Sequence, residues 1–304
     1  MYTKICYDVE DSAAVITLDR PDDLNTIVPP MLEELEAAVG QAIRDREVKV
    51  VILQGAGRSF CAGFNFSGGF THWDDVIATG GEWNAGRDLI MVTSQELGWV
   101  PRFMSLWRSP KPVIAQVHGW CVGGGSEMAL CADIVIASED ARIGTPYSRM
   151  WGCHHAGVWV YRLGLAKVKE LALLGTPVSG REAAEIGLIN RAVPFGRLQE
   201  DVRKIAGQLA SIPSSQLAAM KLVVNQAYDN MGLSSTQLLG SVMDSMMRNT
   251  PEARAFIARA AAEGVCAAVA ERDGPFGDYS QGTSSDKPDP RNIVYAGSLL
   301  NKGP

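Results

Sequence analysis

Short apolar runs rich in β-branched residues recur along the first half of the chain. Such runs are typical of strands that are buried on both faces of a sheet. They occupy residues 15–18, 48–53, 113–117 and 134–136. Over residues 29–45 the apolar side chains instead recur every three or four positions, which predicts an amphipathic helix. Because predicted strands alternate with predicted helices, we expect an α/β fold.

The second half of the chain has a different pattern, with helical periods separated by Gly and Pro. Helices are predicted over residues 166–174, 181–186, 198–211, 214–228, 234–248 and 251–264. After Gly274 the residues are mostly Gly, Ser, Asp and Pro, which predicts an irregular tail. We therefore expect a core that carries the active site over residues 1–199 and a helical region over residues 200–304.

The segment between these patterned parts, residues 66–110, is rich in Gly and Trp. It predicts a loop with one helix, at around residues 86–107. Most of its four tryptophans are expected to pack in the core, and one or two to form the wall of a substrate pocket.

Composition narrows the functional class. The chain has 304 residues, of which 46% are hydrophobic, and a net charge of −6 without clusters of Lys and Arg. A large buried core is therefore expected, and nucleic acid is not an expected partner. The six cysteines form no CxxC pair, and the N-terminus is too polar for a signal peptide. No apolar stretch is long enough to span a membrane. Because the cysteines show no pattern of pairs, we expect a reduced, cytoplasmic protein.

Two glycine-containing segments, residues 57–65 and 118–127, each follow a predicted strand. A strand that enters a glycine turn and then a helix presents backbone N–H groups that attract negative charge. The dinucleotide motif GxGxxG fails because Phe60 occupies its third glycine position, and no P-loop lysine follows either segment. The GxSxG motif of serine hydrolases is missing around Ser126. For either segment alone, tight packing of strand against helix is the better explanation.

Taken together, the two segments resemble the crotonase (enoyl-CoA hydratase/isomerase) superfamily. The resemblance covers roughly residues 5–275, in the order of the family. The residues that carry it are Asp19-Arg20-Pro21, Ser59-Phe60-Cys61-Ala62-Gly63, Lys111-Pro112-Val113-Ile114-Ala115, Gly123-Gly124-Gly125-Ser126-Glu127, Cys131-Ala132-Asp133-Ile134 and Gly180-Arg181-Glu182-Ala183. It implies a ββα spiral core with a helical C-terminal region, an acyl-CoA substrate without a separate cofactor, and a homotrimer or dimer of trimers.

The resemblance also implies an active site. Members of the family hold the thioester oxygen against two backbone N–H groups, which fall here on Phe64 and Gly124. Of the two glutamates that hydratases use, Glu127 matches the first, whereas Tyr147 occupies the position of the second. Substrate contacts are expected from Ala62, Asn65, Trp120, Gly123 and, near the C-terminus, Phe276.

His155 is a further catalytic candidate. It aligns with an aspartate that some crotonase-like enzymes use, including the dihydroxynaphthoyl-CoA synthases, and histidine titrates near neutral pH. A hydrogen-bonded histidine at the start of a helix is an equally good interpretation, and for His154 it is the better one. We expect no metal at Cys153-His154-His155, because adjacent side chains rarely converge on one ion.

Three functions follow from these observations. The leading hypothesis is a hydratase-type lyase that stabilises a thioester enolate. A C–C bond hydrolase or isomerase that uses His155 and Tyr147 on a cyclic or branched acyl-CoA is the second. The third is a CoA-binding protein without catalysis, which the retention of Glu127 argues against.

Overall fold

The computed structural model describes residues 2–153 and 158–279. A six-stranded sheet in the order β1-β2-β3-β6-β8-β11 lies beside a smaller sheet in the order β10-β9-β7. The strands are β1 (Ile5–Glu10), β2 (Ala13–Leu18), β3 (Val50–Gly55), β4 (Ala78–Thr79), β5 (Glu82–Trp83), β6 (Val113–Val117), β7 (Trp120–Val122), β8 (Ile134–Ser138), β9 (Arg142–Gly144), β10 (Val178–Ser179) and β11 (Arg191–Val193). Each predicted apolar run forms a strand of the large sheet, with ends within two residues of the prediction.

The helices follow the strands in the alternating order that the sequence predicts. They are α1 (Pro29–Arg44), α2 (Ala85–Thr93), α3 (Trp99–Arg108), α4 (Gly124–Leu130), α5 (Trp159–Arg162), α6 (Leu165–Leu174), α7 (Gly180–Glu185), α8 (Leu198–Ala210), α9 (Ser214–Asn230), α10 (Leu233–Met247), α11 (Pro251–Glu263) and α12 (Val265–Asp273). The mixed α/β fold class is confirmed. Among the described helices, none combines the length and apolar character needed to cross a membrane.

The large sheet is buried on both faces, which explains its continuous apolar runs. Only β1 pairs antiparallel, with β2; the other neighbouring strands are parallel. Alternate strand residues face opposite sides, so Ile16 joins the main core while Val15 and Ile52 pack under α8. The helix that begins the predicted C-terminal region, α8, therefore covers the outer face of the core sheet. The division of the chain near residue 200 stays a prediction.

The prediction of one helix over residues 86–107 was wrong, because the structure has two helices, α2 and α3, separated by residues 94–98. Pro101 has no N–H, so a continuous helix would lose the hydrogen bond from residue 101 to residue 97. The hydroxyl of Ser94 instead accepts a hydrogen bond from the N–H of Leu97 at 2.9 Å, and Gly98 is the N-cap residue of α3.

Candidate active site

The two glycine-containing segments meet through a parallel bridge between Cys61 and Cys121. The N–H of Cys61 donates to the carbonyl of Trp120 at 2.9 Å, and the N–H of Val122 donates to the carbonyl of Cys61 at 3.0 Å. This parallel bridge joins the loop that follows β3 to β7. The bridge aligns the backbone that follows Cys61 with the backbone that follows Val122, and therefore brings the predicted pair of N–H groups together.

Hydrogen bonds to Ile27 set the direction of the Phe64 backbone. The N–H of Ile27 donates to the carbonyl of Gly63 at 2.8 Å, and the N–H of Asn65 donates to the carbonyl of Ile27 at 2.9 Å. In such a parallel bridge the N–H of the middle residue points away from its partner. The N–H of Phe64 therefore points away from Ile27. On its other side lies Gly124, whose N is 3.8 Å from the position that a Cβ of Gly63 would occupy.

Glycine is required at this junction for space and for backbone conformation. Gly63 and Gly123 have positive φ angles of 96° and 54°, which side chains rarely allow. A Cβ on Gly124 would lie 2.6 Å from Cε2 of Phe64, and one on Gly125 would lie 2.3 Å from the carbonyl oxygen of Cys61. The same glycines that allow tight packing therefore also form the predicted site, because both features require the two backbones to approach closely.

The predicted backbone pair opens onto a cavity of about 130 Å³ with mostly apolar walls. Phe64 contributes its ring as well as its backbone, and packs against Trp73 and Trp99 with ring centroids 5.6 and 5.5 Å away. Trp73 and Trp99 thus form part of a cavity wall; that this cavity binds the substrate stays a prediction. The cavity is lined by Ala62, Gly63, Phe64, Phe66, Trp73, Ile77, Trp99, Val122, Gly123, Gly124, Pro146, Tyr147, Met150, Trp151, Asp244, Arg248, Phe256, Val265, Val269 and Arg272.

A second, wider cavity of about 380 Å³ adjoins the first. The two share Ala62, Phe64, Val122 and Arg272 among their lining residues. Beyond that shared wall, charged residues at 22, 23 and 58 line the second cavity. Both cavities are mostly apolar, and they adjoin beside Phe64.

Glu127 is fully buried on the first turns of α4, at 0% exposure. Its neighbours Gly123 and Gly124 line the first cavity, whereas Glu127 is absent from the lining residues of both cavities. Its negative charge reaches the cavity wall nonetheless, because it raises the pKa of Tyr147, which lines the first cavity. The structure therefore brings Glu127 and Tyr147 into electrostatic contact.

Tyr147 lies on the short turn of residues Pro146–Arg149, with its ring packed over Gly152. Burial raises the pKa of its phenol well above the ordinary value of 10.0, and the negative charges of Glu127 and Asp244 raise that pKa further. The phenol therefore keeps its proton at neutral pH. It can donate a hydrogen bond there, but it cannot act as a base.

Four of the five predicted substrate contacts line one or both cavities. Ala62 lines both, Gly123 lines the first, and Trp120 and Asn65 line the second. The side chain of Asn65 also fixes its own loop, because its amide oxygen accepts the N–H of residue 67 at 2.8 Å. Phe276 lines neither cavity: its ring is 54% exposed and covers the guanidinium of Arg149 at 3.8 Å.

The remaining predictions for this region concern histidines and metals. His154 and His155 lie outside the described residues. Within residues 2–153 and 158–279, no three His, Cys, Asp or Glu side chains are grouped so that they could hold a metal ion.

Sequence reasoning missed two charged residues in the wall of the first cavity, Asp244 and Arg248. Asp244 and Arg248 are 2% and 4% exposed. They form an ion pair at the C-terminal end of α10, and Arg248 also pairs with the fully buried Asp88 of α2. An Asp and an Arg four residues apart on a helix are typical of an exposed ion pair. The sequence carries no signal that α2 and α10 pack together, so this pair looked like part of a solvated surface.

Comparison with known proteins gives consistent matches. The profile of the enoyl-CoA hydratase/isomerase family matches residues 8–254. A probable enoyl-CoA hydratase of Rhodobacter capsulatus is 33% identical over 75% of this chain and 84% of its own. The 1,2-epoxyphenylacetyl-CoA isomerase of Escherichia coli is 34% identical over 73% of this chain and 82% of its own. A crystal structure of an enoyl-CoA hydratase from Mycobacterium smegmatis superposes with a TM-score of 0.83 at 36% identity, covering 93% of this chain and 97% of that one.

Proposed function

The chain belongs to the enoyl-CoA hydratase/isomerase family, and from that membership we propose that it is a lyase that adds water to an enoyl-CoA. The observation that carries the proposal is the backbone arrangement of Phe64 and Gly124 at the junction of the two cavities. A thioester oxygen placed against these N–H groups would have its acyl chain in the first cavity and its CoA part in the second, which Asp22, Asp23 and Arg58 line.

The backbone pair supplies the electrostatic part of the reaction. When water adds to the β-carbon of an enoyl thioester, negative charge develops on the thioester oxygen. Donors that are already oriented toward that oxygen lower the barrier without rearrangement, and each is worth about 100- to 1000-fold in rate. The bridge and the glycine contacts described above fix the backbones of Phe64 and Gly124 in advance.

Glu127 is the proposed acid–base group. Its carboxylate takes a proton from the water as the hydroxyl adds to the β-carbon, and then returns that proton to the α-carbon of the enolate. One carboxylate is sufficient if the two transfers occur in sequence. The role requires the Glu127 side chain to turn into the cavity beside Tyr147, which keeps its proton and donates a hydrogen bond.

CoA enters as part of the substrate, and the second cavity is its proposed place. Arg58 and Arg272 line this cavity and are the cations that we propose for the phosphates of CoA; Arg272 also pairs with Asp273 at 2.6 Å. We further propose a homotrimer or dimer of trimers, because α6 and α9 expose apolar side chains such as Leu173, Leu222 and Val223 at 73%, 67% and 70%.

An isomerase is the second candidate function, and the protonated state of Tyr147 favours it. Moving a double bond along an enoyl-CoA needs one base that transfers a proton between two carbons. Glu127 alone meets that need, whereas hydratases of the resembling family use a second carboxylate where Tyr147 stands.

The test uses crotonyl-CoA and a 3-enoyl-CoA with the purified full chain, followed by the absorbance of the conjugated thioester and by product mass. Hydration adds the mass of water, whereas isomerisation creates the conjugated absorbance without a change in mass. In Glu127→Gln we expect kcat to fall at least about 100-fold, as for loss of a general base. The exposed Glu185→Gln is the matched control and should retain full activity.

Each outcome separates the candidates. Hydration that survives Glu127→Gln contradicts the role of Glu127. Conversion of the 3-enoyl-CoA with no hydration of crotonyl-CoA replaces the hydratase with the isomerase. Acyl-CoA binding without turnover of either substrate supports a CoA-binding protein without catalysis.

A further inference from the structure

The loop that follows β2 holds the backbone on both sides of Phe64. We call residues 20–27 the β2 loop. Three backbone hydrogen bonds of 2.8 to 3.0 Å join it to the segment that contains Phe64. The direction of the Phe64 backbone therefore depends on where the β2 loop lies. The bonds run from the Ala62 N–H to the Leu24 carbonyl, from the Ile27 N–H to the Gly63 carbonyl and from the Asn65 N–H to the Ile27 carbonyl.

The side chain of Asn25 ties the β2 loop to the chain that leaves β3. Its amide nitrogen donates to the carbonyls of Ala56 and Ser59, both at 2.8 Å. Its amide oxygen accepts a hydrogen bond from the N–H of Arg20 at 2.8 Å. The side chain is 0% exposed, and both N–H donors of its carboxamide have partners. Because residues 56–59 lead directly into the segment that contains Phe64, Asn25 connects that segment to the β2 loop at a second place.

The backbone of the β2 loop has an unusual conformation at this point. Leu24 and Asn25 have positive φ angles of 52° and 54°. Asparagine and glycine adopt this left-handed region more readily than other residues, and leucine rarely does so. Such residues persist only where the surrounding structure holds them. The three hydrogen bonds of the Asn25 carboxamide provide such support.

Asn25 lies behind the wall that a substrate would contact. Its neighbours Leu24 and Thr26 line the second cavity, whereas Asn25 lines neither cavity. The hydroxyl of Thr26 accepts a hydrogen bond from the side-chain amide of Asn65 at 3.1 Å. The β2 loop therefore forms part of the second cavity and holds the chain beside Phe64, and Asn25 fixes it from the buried side.

We propose that Asn25 is a positioning residue for the backbone pair, because its carboxamide holds the β2 loop and thereby sets the direction of the Phe64 N–H. Its effect reaches a thioester oxygen through the backbone bonds of the β2 loop. A misplacement of about 1 Å at an active site can cost about 100-fold in rate. The inference rests on the proposed placement of an acyl-CoA thioester at Phe64 and Gly124, and holds for hydration and isomerisation alike.

The vibrational frequency of a bound thioester tests the inference without turnover. Hexanoyl-CoA has no double bond, and an isotopic label on its thioester carbonyl allows difference infrared spectroscopy of the complex with the full chain. Hydrogen bonds from the backbone pair should lower the C=O stretching frequency below its value in water. Asn25→Gly removes the carboxamide and permits the positive φ. It should lose most of this shift, while the Kd for hexanoyl-CoA stays within about 3-fold of wild type.

Asn225→Ala is the matched control. The Asn225 side chain donates to the carbonyl of Trp107 at 2.9 Å, and it lines neither the first nor the second cavity. This variant loses the same kind of hydrogen bond and should keep the full shift. Thr26→Val removes only the bond to Asn65, and should lose a smaller part of the shift. It provides the test if Asn25→Gly does not fold.

Kinetics with crotonyl-CoA separate positioning from general stability. Asn25→Gly should lower kcat about 10- to 100-fold and leave KM within about 3-fold. In a Gly124→Ala background its effect on kcat should be much smaller, because both changes act on one donor pair. Equal losses in both backgrounds would overturn the positioning role.

The infrared outcomes distinguish this inference from the proposed reaction. A full shift in folded Asn25→Gly and in Thr26→Val overturns the inference, as does an equal loss of shift in Asn225→Ala. The absence of a shift in the wild-type complex overturns it together with the placement of the thioester. A shift that depends on Asn25 in a protein that does not convert crotonyl-CoA supports the inference and counts against the proposed hydration only.

Discussion

The two ends of the first cavity are built from different parts of the chain. At the thioester end, the backbones of Phe64 and Gly124 come together because a parallel bridge joins Cys61 to Cys121. Elsewhere in the lining, Trp99 of α3 meets Asp244 and Arg248 at the end of α10, and we call these three residues the distal wall. Arg248 is tied to Asp88 of α2 across 160 positions in sequence. One end depends on backbone geometry and the other on tertiary packing of side chains.

This difference explains what each end can specify. In the proposed function, the backbone N–H groups hold the thioester oxygen that all acyl-CoA substrates share. The side chains of the distal wall line the same cavity and would face the acyl group, which varies between substrates. Substitutions at the first end should therefore change the rate for every substrate, and those at the second end should change stability and preference.

The largest expected effect is at the thioester end. In Gly124→Ala, the added Cβ would lie 2.6 Å from Cε2 of Phe64 and 3.0 Å from Cδ1 of Ile27, so the Phe64 ring must shift beside the backbone pair. Loss of an oriented donor pair should lower kcat about 100- to 1000-fold for every substrate. Steady-state kinetics on two acyl-CoAs, with circular dichroism to verify folding, would measure it.

Gly207→Ala is the matched control for that substitution. Gly207 lies in α8, and a Cβ there would meet nothing within 4 Å. Its kcat should stay unchanged while the free energy of unfolding rises by up to about 1 kcal/mol, the helix propensity difference between Ala and Gly. Full activity of folded Gly124→Ala would show that the thioester oxygen is held elsewhere.

At the distal wall the main expected effect is on stability. Arg248→Met leaves two buried carboxylates, Asp88 and Asp244, without the cation that both contact. Removing one partner of a buried ion pair typically costs about 3–5 kcal/mol. Urea unfolding should show a loss of this size.

Arg259→Met is the comparison for that loss. Arg259 is 39% exposed and pairs with Glu263 and Glu271 on the surface, so its replacement should cost less than about 1 kcal/mol. Equal losses for the two variants would mean that the buried cluster does not stabilise the packing of α2 against α10, and the contrast between the two ends would fail.

The fold followed from local patterns to a large extent. The strand β6 was predicted with its observed ends, and α8 and α9 within two residues, because buried strands and amphipathic helices have distinct apolar periods. The family resemblance supplied the crotonase-like fold and an acyl-CoA thioester enzyme of the hydratase type, and both are confirmed. The lyase class stays a proposal. The break in the predicted helix over residues 86–107 depends on Pro101 and Ser94. The spacing of apolar residues does not reveal such a break.

The candidate site was predictable to the extent that it depends on glycine. Gly124 is needed because no side chain fits against Phe64, and that requirement is visible in the sequence as a glycine run. The distal wall was not predictable, because Trp99, Asp244 and Arg248 become neighbours only when α3 and α10 pack. Their individual residue types are as common in cores and on surfaces as they are in binding sites.

The smallest expected effect tests the residue between the two ends. Tyr147 lines the cavity, and the charges of both Glu127 and Asp244 act on its phenol. Tyr147→Phe removes one neutral hydrogen-bond donor, so kcat should fall about 2- to 10-fold. Because the raised pKa keeps the phenol protonated, this ratio should stay constant between about pH 6 and pH 9. Tyr161→Phe, which removes a phenol that bonds to Thr236 instead, should keep full activity.

The pH dependence of the unfolding free energy gives the sign of the Tyr147 pKa shift independently of catalysis. Below about pH 10 the folded and the unfolded chain both hold the phenol proton, so the Tyr147 contribution is fully present. Above that pH the unfolded chain releases the proton while the folded chain retains it, and stability falls as pH rises toward the folded pKa. The difference in unfolding free energy between wild type and Tyr147→Phe should therefore decrease above about pH 10. A difference that instead grows with pH would mean a lowered pKa, and Tyr147 could then serve as a base that links the two ends of the cavity.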